Sequence, residues 1–229
     1  MFPFIEQGSR LDAMNALGRD YLVRYRPYRF DHMDNPIFGA VPGITCPSSA
    51  IGELASDHAS GGNHPHARQQ GSLHYRANGG ADTADFQTAA SNADRHFSTA
   101  GIMFPESKIG FSDIIDGTTN TILLGETSSS RRWPSGAITN HGGIKPWVWG
   151  VYQYNGVSEW LTIDHKTIKY PINYTGSFQA CVTPYTSEHP GGAMFVMCDG
   201  SVSFLPDTIR LDVLKAMATR HHGEVPSQN

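Results

Sequence analysis

No stretch of this chain holds about eighteen consecutive apolar residues, so nothing in it can cross a bilayer as a helix. The first residues do not read as a charged stretch followed by an apolar one, the pattern of a secretory leader. As given, the chain is expected to be soluble and to make no membrane contact of its own. Charge is scarce and nearly balanced: 17 Lys and Arg stand against 21 Asp and Glu, a formal net charge of −4. That gives no electrostatic case for a nucleic-acid partner, and none is expected. Arg24, Arg26 and Arg29 gather among tyrosines, in the manner of an amphipathic surface strand. Cysteine is sparse and odd in number, Cys46, Cys181 and Cys198, so the three cannot all pair within the chain. Apolar residues make up only 39%, while 24 glycines and 14 prolines supply many turns, which favours short strands and loops over long helices. No repeat or heptad is visible, and 229 residues suit one domain, 1–229, with a substantial core.

The clearest local signal lies near the C-terminus. His189-Pro190-Gly191-Gly192 punctuates the chain, Ala193 to Cys198 is apolar throughout, Asp199-Gly200 follows, and Ser201 to Leu205 alternates. Asp-Gly between two such runs predicts a hairpin over 189–205 closed by a two-residue type I′ turn. That register sets Met197 against Val202 and Phe195 against Phe204. Ala193, Phe195, Met197, Val202 and Phe204 then share one face, and Met194, Val196 and Cys198 take the other with Ser201, Ser203 and Leu205. An isolated hairpin is marginal in water, so further strands are expected beside it, over 120–126 and 146–152.

Elsewhere, Ser9 is expected to cap a short helix through Leu17, stopped by Gly18, with Leu11 and Met14 on its apolar side. Residues 51–100 read as a loop-rich excursion, rich in Gly, Ser, Asn and His in its first part. Ser112 starts a helical turn that Gly117 ends, and Thr121 to Leu124 enters a strand. Asp207 or Asp212 is expected to cap a last helix whose buried stripe is Leu214, Met217 and Ala218. The fold class is α+β, dominated by antiparallel sheet, with long loops and short helices.

Candidate chemistry is thin. His189 and Asp199 have the residue types of an acid–base pair, but six strand residues hold them on the order of 20 Å apart. Both read as structural: Asp199 supports the turn, Gly200 supplies a positive φ, and His189 anchors the loop entering the strand. His58, His64, His66 and His74 fall close together, yet no Glu or Cys stands at the spacing of a zinc signature, so they read as solvated loop histidines. Asp116, Thr118 and Asn120 alternate as at the start of a calcium loop, with Glu126 ten residues on. The glycine and glutamate that such a loop needs are missing, and a turn is the expectation. There is no nucleophile elbow, and Gly191-Gly192 precedes a strand rather than the helix of a phosphate loop. The reading is therefore no catalytic residue, no metal and no cofactor. Trp133, Trp147, Trp149 and Trp160 offer a second possibility, a carbohydrate- or ligand-stacking surface, and the histidine tract a third, a metal-dependent hydrolase.

Several segments, taken in order, carry a resemblance. Phe2-Pro3-Phe4-Ile5-Glu6-Gln7, Thr45-Cys46-Pro47-Ser48-Ser49, His74 to Gly80 and Phe111 to Glu126 are followed by His189 with Asp199-Gly200 ten residues on. Ala218-Thr219-Arg220 through Gly223-Glu224-Val225 closes the series. Together they resemble the prepilin-type, processing-associated H-x9-DG domain of bacteria. The resemblance implies a pilin-like globular domain, located at the cell envelope or outside the cell in the full-length protein, with a non-enzymatic role in assembly or surface display. It also implies other pilin-like subunits as partners, joined through an N-terminal helix that this chain does not contain. The chain is thus expected to be a shortened form of an anchored protein, which the reading frame upstream of Met1 would test. The resemblance further implies that Cys46 has lost a partner with that segment. Neighbouring strands would allow Cys181 and Cys198 to bond, but the sequence alone does not place those strands.

Overall fold

The computed structural model describes residues 5–16, 36–54, 70–83, 86–88, 96–104, 107–128, 147, 151–153, 160–162, 165–176 and 182–221. Helix α1 (Gly8–Ala16) opens the described chain and buries Met14. It begins one residue before Ser9, so Ser9 lies inside the first turn rather than capping it; Leu11 donates its N–H to Gln7 O at 3.1 Å. Strand β1 (Tyr75–Ala81) is followed by β2 (Phe86–Thr88), β3 (His96–Ser98), β4 (Ile122–Glu126), β5 (Val151–Gln153), β6 (Trp160–Thr162), β7 (His165–Ile168), β8 (Gly192–Met197) and β9 (Val202–Pro206). Helix α2 (Leu211–Ala218) closes the series. No helix among the described residues is long and apolar enough to cross a membrane.

The class is α+β, and the main sheet is mixed. Its order is β7-β1-β4-β8-β9; β7 runs parallel to β1, and the other three pairings are antiparallel. β5 pairs with β6 in a separate two-stranded sheet, so Val151 and Tyr152, the end of the strand expected over 146–152, do not join the main sheet beside the C-terminal hairpin. Such β-branched and aromatic residues fit any half-buried strand and carry no information on the partner. The expected excursion over 51–100 is also corrected. It holds β1, which lies between β7 and β4 in the main sheet. A strand reading Tyr-Arg-Ala-Asn-Gly-Gly-Ala lacks apolar alternation because its buried positions are polar or small.

Those small residues have a packing reason. A side chain at Gly101 would stand 2.3 Å from Gly80 N and 2.4 Å from Gly79 C, so two backbone segments touch there. Asn78 donates from Nδ2 to Ile122 O (2.7 Å) and Ala218 O (2.8 Å) and accepts from Gly80 N–H (2.9 Å). Its amide thus joins β1 to β4 and to α2. At Gly125 a Cβ would fall 2.5 Å from the Tyr185 ring and 2.6 Å from that of Phe195, an edge-on pair with centroids 5.1 Å apart. Around them Ile122, Phe195, Met197, Leu205, Leu214 and Ala218 form the main core.

The C-terminal hairpin exists, but in a register one residue from expectation. Val196 pairs with Val202 and Met194 with Phe204, and Met197 donates its N–H to Ser201 O (2.8 Å). Gly200 N–H bonds Met197 O (3.0 Å), and only Gly200 of the turn has a positive φ, 87°. This is a three-residue loop, a type I turn followed by a left-handed glycine, and not a type I′ turn. One residue of slip moves every side chain of β9 to the opposite face. Leu205 is therefore buried with Ala193, Phe195 and Met197, while Val202 and Phe204 are 61% and 47% exposed. Asp199 supports the turn as expected, accepting from Ser201 N–H (2.9 Å) and Ser201 Oγ (2.6 Å).

At α2, Leu214 and Ala218 are buried and Met217 packs at the core margin, as the apolar stripe predicts. Neither aspartate caps the helix. The cap position is Arg210, without a side-chain cap bond, and Asp212 sits in the first turn bonded to the Arg210 guanidinium. After the helix, Arg220 ties the C-terminal segment down, donating to Gly101 O (2.8 Å) and Thr99 O.

Candidate functional site

Three segments far apart in sequence meet beside the start of β8. The Cys46 turn is fastened to the beginning of β1 by reciprocal bonds: His74 N–H to Ile44 O (3.0 Å) and Cys46 N–H to His74 Nδ1 (2.9 Å). The end of β4 runs beside the segment before His189. Thr186 N–H bonds Glu126 O (3.1 Å), Ser128 N–H bonds Thr186 O (2.9 Å), and Thr127 and Thr186 form a parallel bridge. Ser49 Oγ donates to Ser128 O (2.5 Å), which joins the Cys46 turn to the same corner. The loop into β8 is set by Ser187, whose N–H bonds Asn173 Oδ1 (2.9 Å) and whose Oγ accepts from His189 N–H (3.0 Å).

These fastenings place His189 Nε2 3.8 Å from Cys46 Sγ and 3.8 Å from Glu126 Oε1. One ligand-type atom from each of the three residues lies within 4.8 Å of the others. Glu126 is fully buried and Cys46 nearly so, whereas the His189 side chain is 33% exposed, so solvent reaches the cluster from the histidine. Both Glu126 oxygens are held: Oε1 accepts from Ser128 Oγ and Oε2 from Met194 N–H at 3.2 Å. Burial pushes the Cys46 thiol up, and its hydrogen bond with Glu126 adds to that. Tyr75 flanks the thiol, and burial, then the neighbouring Cys46 and Glu126, push its phenol up to about 12. His74 is lowered to about 4, first by burial and then by Arg76, so its ring is neutral. With Nδ1 accepting from Cys46 N–H, the His74 proton sits on Nε2, which has no hydrogen-bond partner among the described residues.

The signature residues separate. His189 belongs to this cluster, whereas Asp199 and Gly200 close the turn beyond the other end of β8. Cys198 is a free thiol in a small apolar cluster with Ile102 and Ile114. Burial, then Asp199, pushes it up to about 11. Cys181 lies outside the described residues, as do His58, His64 and His66 of the histidine tract. The segment around Asp116 is a turn: Asn120 donates from Nδ2 to Asp116 O (3.1 Å) and from N–H to Gly117 O (3.1 Å). Trp147 is engaged, its Nε1 donating to Gly39 O (2.9 Å) and its ring lying 5.9 Å from the Arg10 guanidinium. Trp133 and Trp149 lie outside the described residues.

Sequence pattern offered no spacing rule to join Cys46, Glu126 and His189. The signal that existed was weaker: each residue falls within one of the short segments that carry the family resemblance.

By fold and site, then, this is an α+β domain built on a five-stranded mixed sheet, with a buried thiol–carboxylate–imidazole cluster at one corner. Over residues 1–212 the chain matches the family described as Protein of unknown function (DUF1559), and it belongs to that family. No curated protein and no solved structure matches it.

Proposed function

We propose that this chain is a non-enzymatic, pilin-like envelope module whose work is assembly or surface display beside other pilin-like subunits. The observation that carries the reading is the outer face of the sheet. Val202 and Phe204 stand exposed on β9, with Leu124, Met194 and Val196 half-buried beside them. Among the described residues β9 ends the strand order and pairs with β8 alone, so an edge rimmed by apolar side chains faces outward. Such an edge is a template for strand addition or docking by another chain. The resemblance to H-x9-DG prepilin-like domains supports the envelope address and the choice of partner.

The thiol chemistry also favours a non-enzymatic role. Cys46 beside His189 has the residue types of a nucleophile and its base. Burial and Glu126 push that thiol up, the reverse of the lowered value an activated cysteine needs.

The test is photo-crosslinking in bacteria that make the protein from its native locus, with a photoreactive residue at Val202. Crosslinked species with like subunits, recovered in the envelope fraction, are expected. Recovery of uncrosslinked protein in the cytosolic fraction alone would refute the assembly reading.

A further inference from the structure

The corner cluster is not used by the assembly reading and has a composition of its own. A thiol, a carboxylate and an imidazole converge from the turn before β1, the end of β4 and the loop into β8. Sulfur, nitrogen and oxygen donors of these types are the set that zinc takes from proteins. Zinc bonds of about 2.0–2.3 Å at a tetrahedral ion put neighbouring donor atoms roughly 3.3–3.6 Å apart. The 3.8 Å separations from His189 Nε2 to Cys46 Sγ and Glu126 Oε1 need only a few tenths of an ångström of closure.

The surroundings hold the donors in place. Ser128 Oγ and Met194 N–H each bond one oxygen of Glu126, leaving each oxygen a further lone pair for a cation. Hydrogen bonds of that kind orient metal-ligating carboxylates. The main chain at Cys46 is pinned, because its N–H is bonded to His74 Nδ1. His189 is the exposed member, so an ion would enter from its side and meet water there.

We propose that Cys46 Sγ, the Glu126 carboxylate and His189 Nε2 form a three-ligand site for a zinc-type divalent ion, with a fourth position open on the His189 side. Binding there would clip together three chain segments and would make His189 a ligand as well as a loop anchor.

The experiment uses the full chain without an affinity tag. Zinc affinity is measured by competition with a chromophoric chelator, and cobalt is added to read the thiolate-to-metal charge-transfer band. Wild type is expected to bind one equivalent and to show the band. Cys46→Ser is expected to lose the band. His189→Ala, at a partly exposed position, is expected to keep the circular dichroism of the wild type and lose at least about 10–100-fold in affinity, the loss that even supporting-residue changes cause. Ser128→Ala, which removes a bond to Glu126 without touching a ligand, is expected to weaken binding by a similar factor. Cys198→Ser, beyond the far end of β8, is expected to change nothing. A band that persists in Cys46→Ser, or equal affinity in wild type and folded His189→Ala, would overturn the site. Either result leaves the crosslinking test of assembly untouched.

Discussion

Asn78, Gly80 and Gly101 form a junction in which one amide and two missing side chains let three segments meet. Asn78 satisfies carbonyls of β4 and α2 from inside β1, and Gly101 N–H bonds Gly79 O at 2.9 Å across the bare backbone. A methyl group at 101 would collide with main-chain atoms that have no rotamer in which to escape. Gly101→Ala is expected to cost about 1–3 kcal/mol, the usual penalty of overpacking. Urea denaturation beside the wild type would measure it, and an unchanged midpoint would contradict the close approach. The same reasoning explains why an Asn-Gly-Gly run sits within a buried strand. The chain needs a compact polar hub followed by room for a neighbour, and apolar periodicity cannot express that need.

At the scale of the element, the hairpin shows what a turn decides. Asp-Gly is compatible with two loops, and which one forms sets the face of every residue in β9. With Gly200 at φ 87° in a three-residue loop, Gly200→Ala is expected to cost ~1–2 kcal/mol from the left-handed backbone penalty. The two registers differ sharply in their side chains. Leu205→Ala is expected to cost about 2–5 kcal/mol as a core truncation, and Val202→Thr less than about 0.5 kcal/mol as a surface change. Thermal unfolding of both variants discriminates, since the two-residue loop would reverse their order. The same slip frees Val202 and Phe204 for the docking role proposed for the outer face.

For the molecule as a whole, acid stability should report the buried neutral ring of His74. Its folded value, about 4, lies below the ordinary 6.5 of an unfolded histidine. The unfolded chain therefore binds the extra proton first, and stability falls as pH drops from about 6.5 toward about 4. Above about 6.5 the contribution is fully present, and below about 4 it is spent. The loss is expected to reach roughly 3 kcal/mol, and His74→Gln should flatten it. Chemical denaturation at pH 7, 5.5 and 4.5 provides the check; a wild-type slope matching that of the variant would dismiss His74 as its source. Asp199 and Asp212 titrate lower, held down chiefly by Ser201 and Arg210 respectively, and add their slope beneath this window.

Local chemistry was legible before any coordinates. Gly117 and Gly200 as turn residues, the short helices at Met14 and Leu214, and a strand opening near Thr121 all follow from residues within a few positions of one another. The α+β class followed from the same short-range signals. What the chain alone could not decide depends on distant partners: β7 running beside β1, β5 leaving the main sheet for β6, and one residue of register in β9. The corner joining Cys46, Glu126 and His189 is of the same kind. Backbone bonds at Ile44–His74 and Thr186–Glu126 create it, and those bonds form between main-chain groups that every residue carries. Side-chain identity fixes what a segment does locally, whereas long-range pairing is written in backbone groups and packing space, which become visible only once the segments have met.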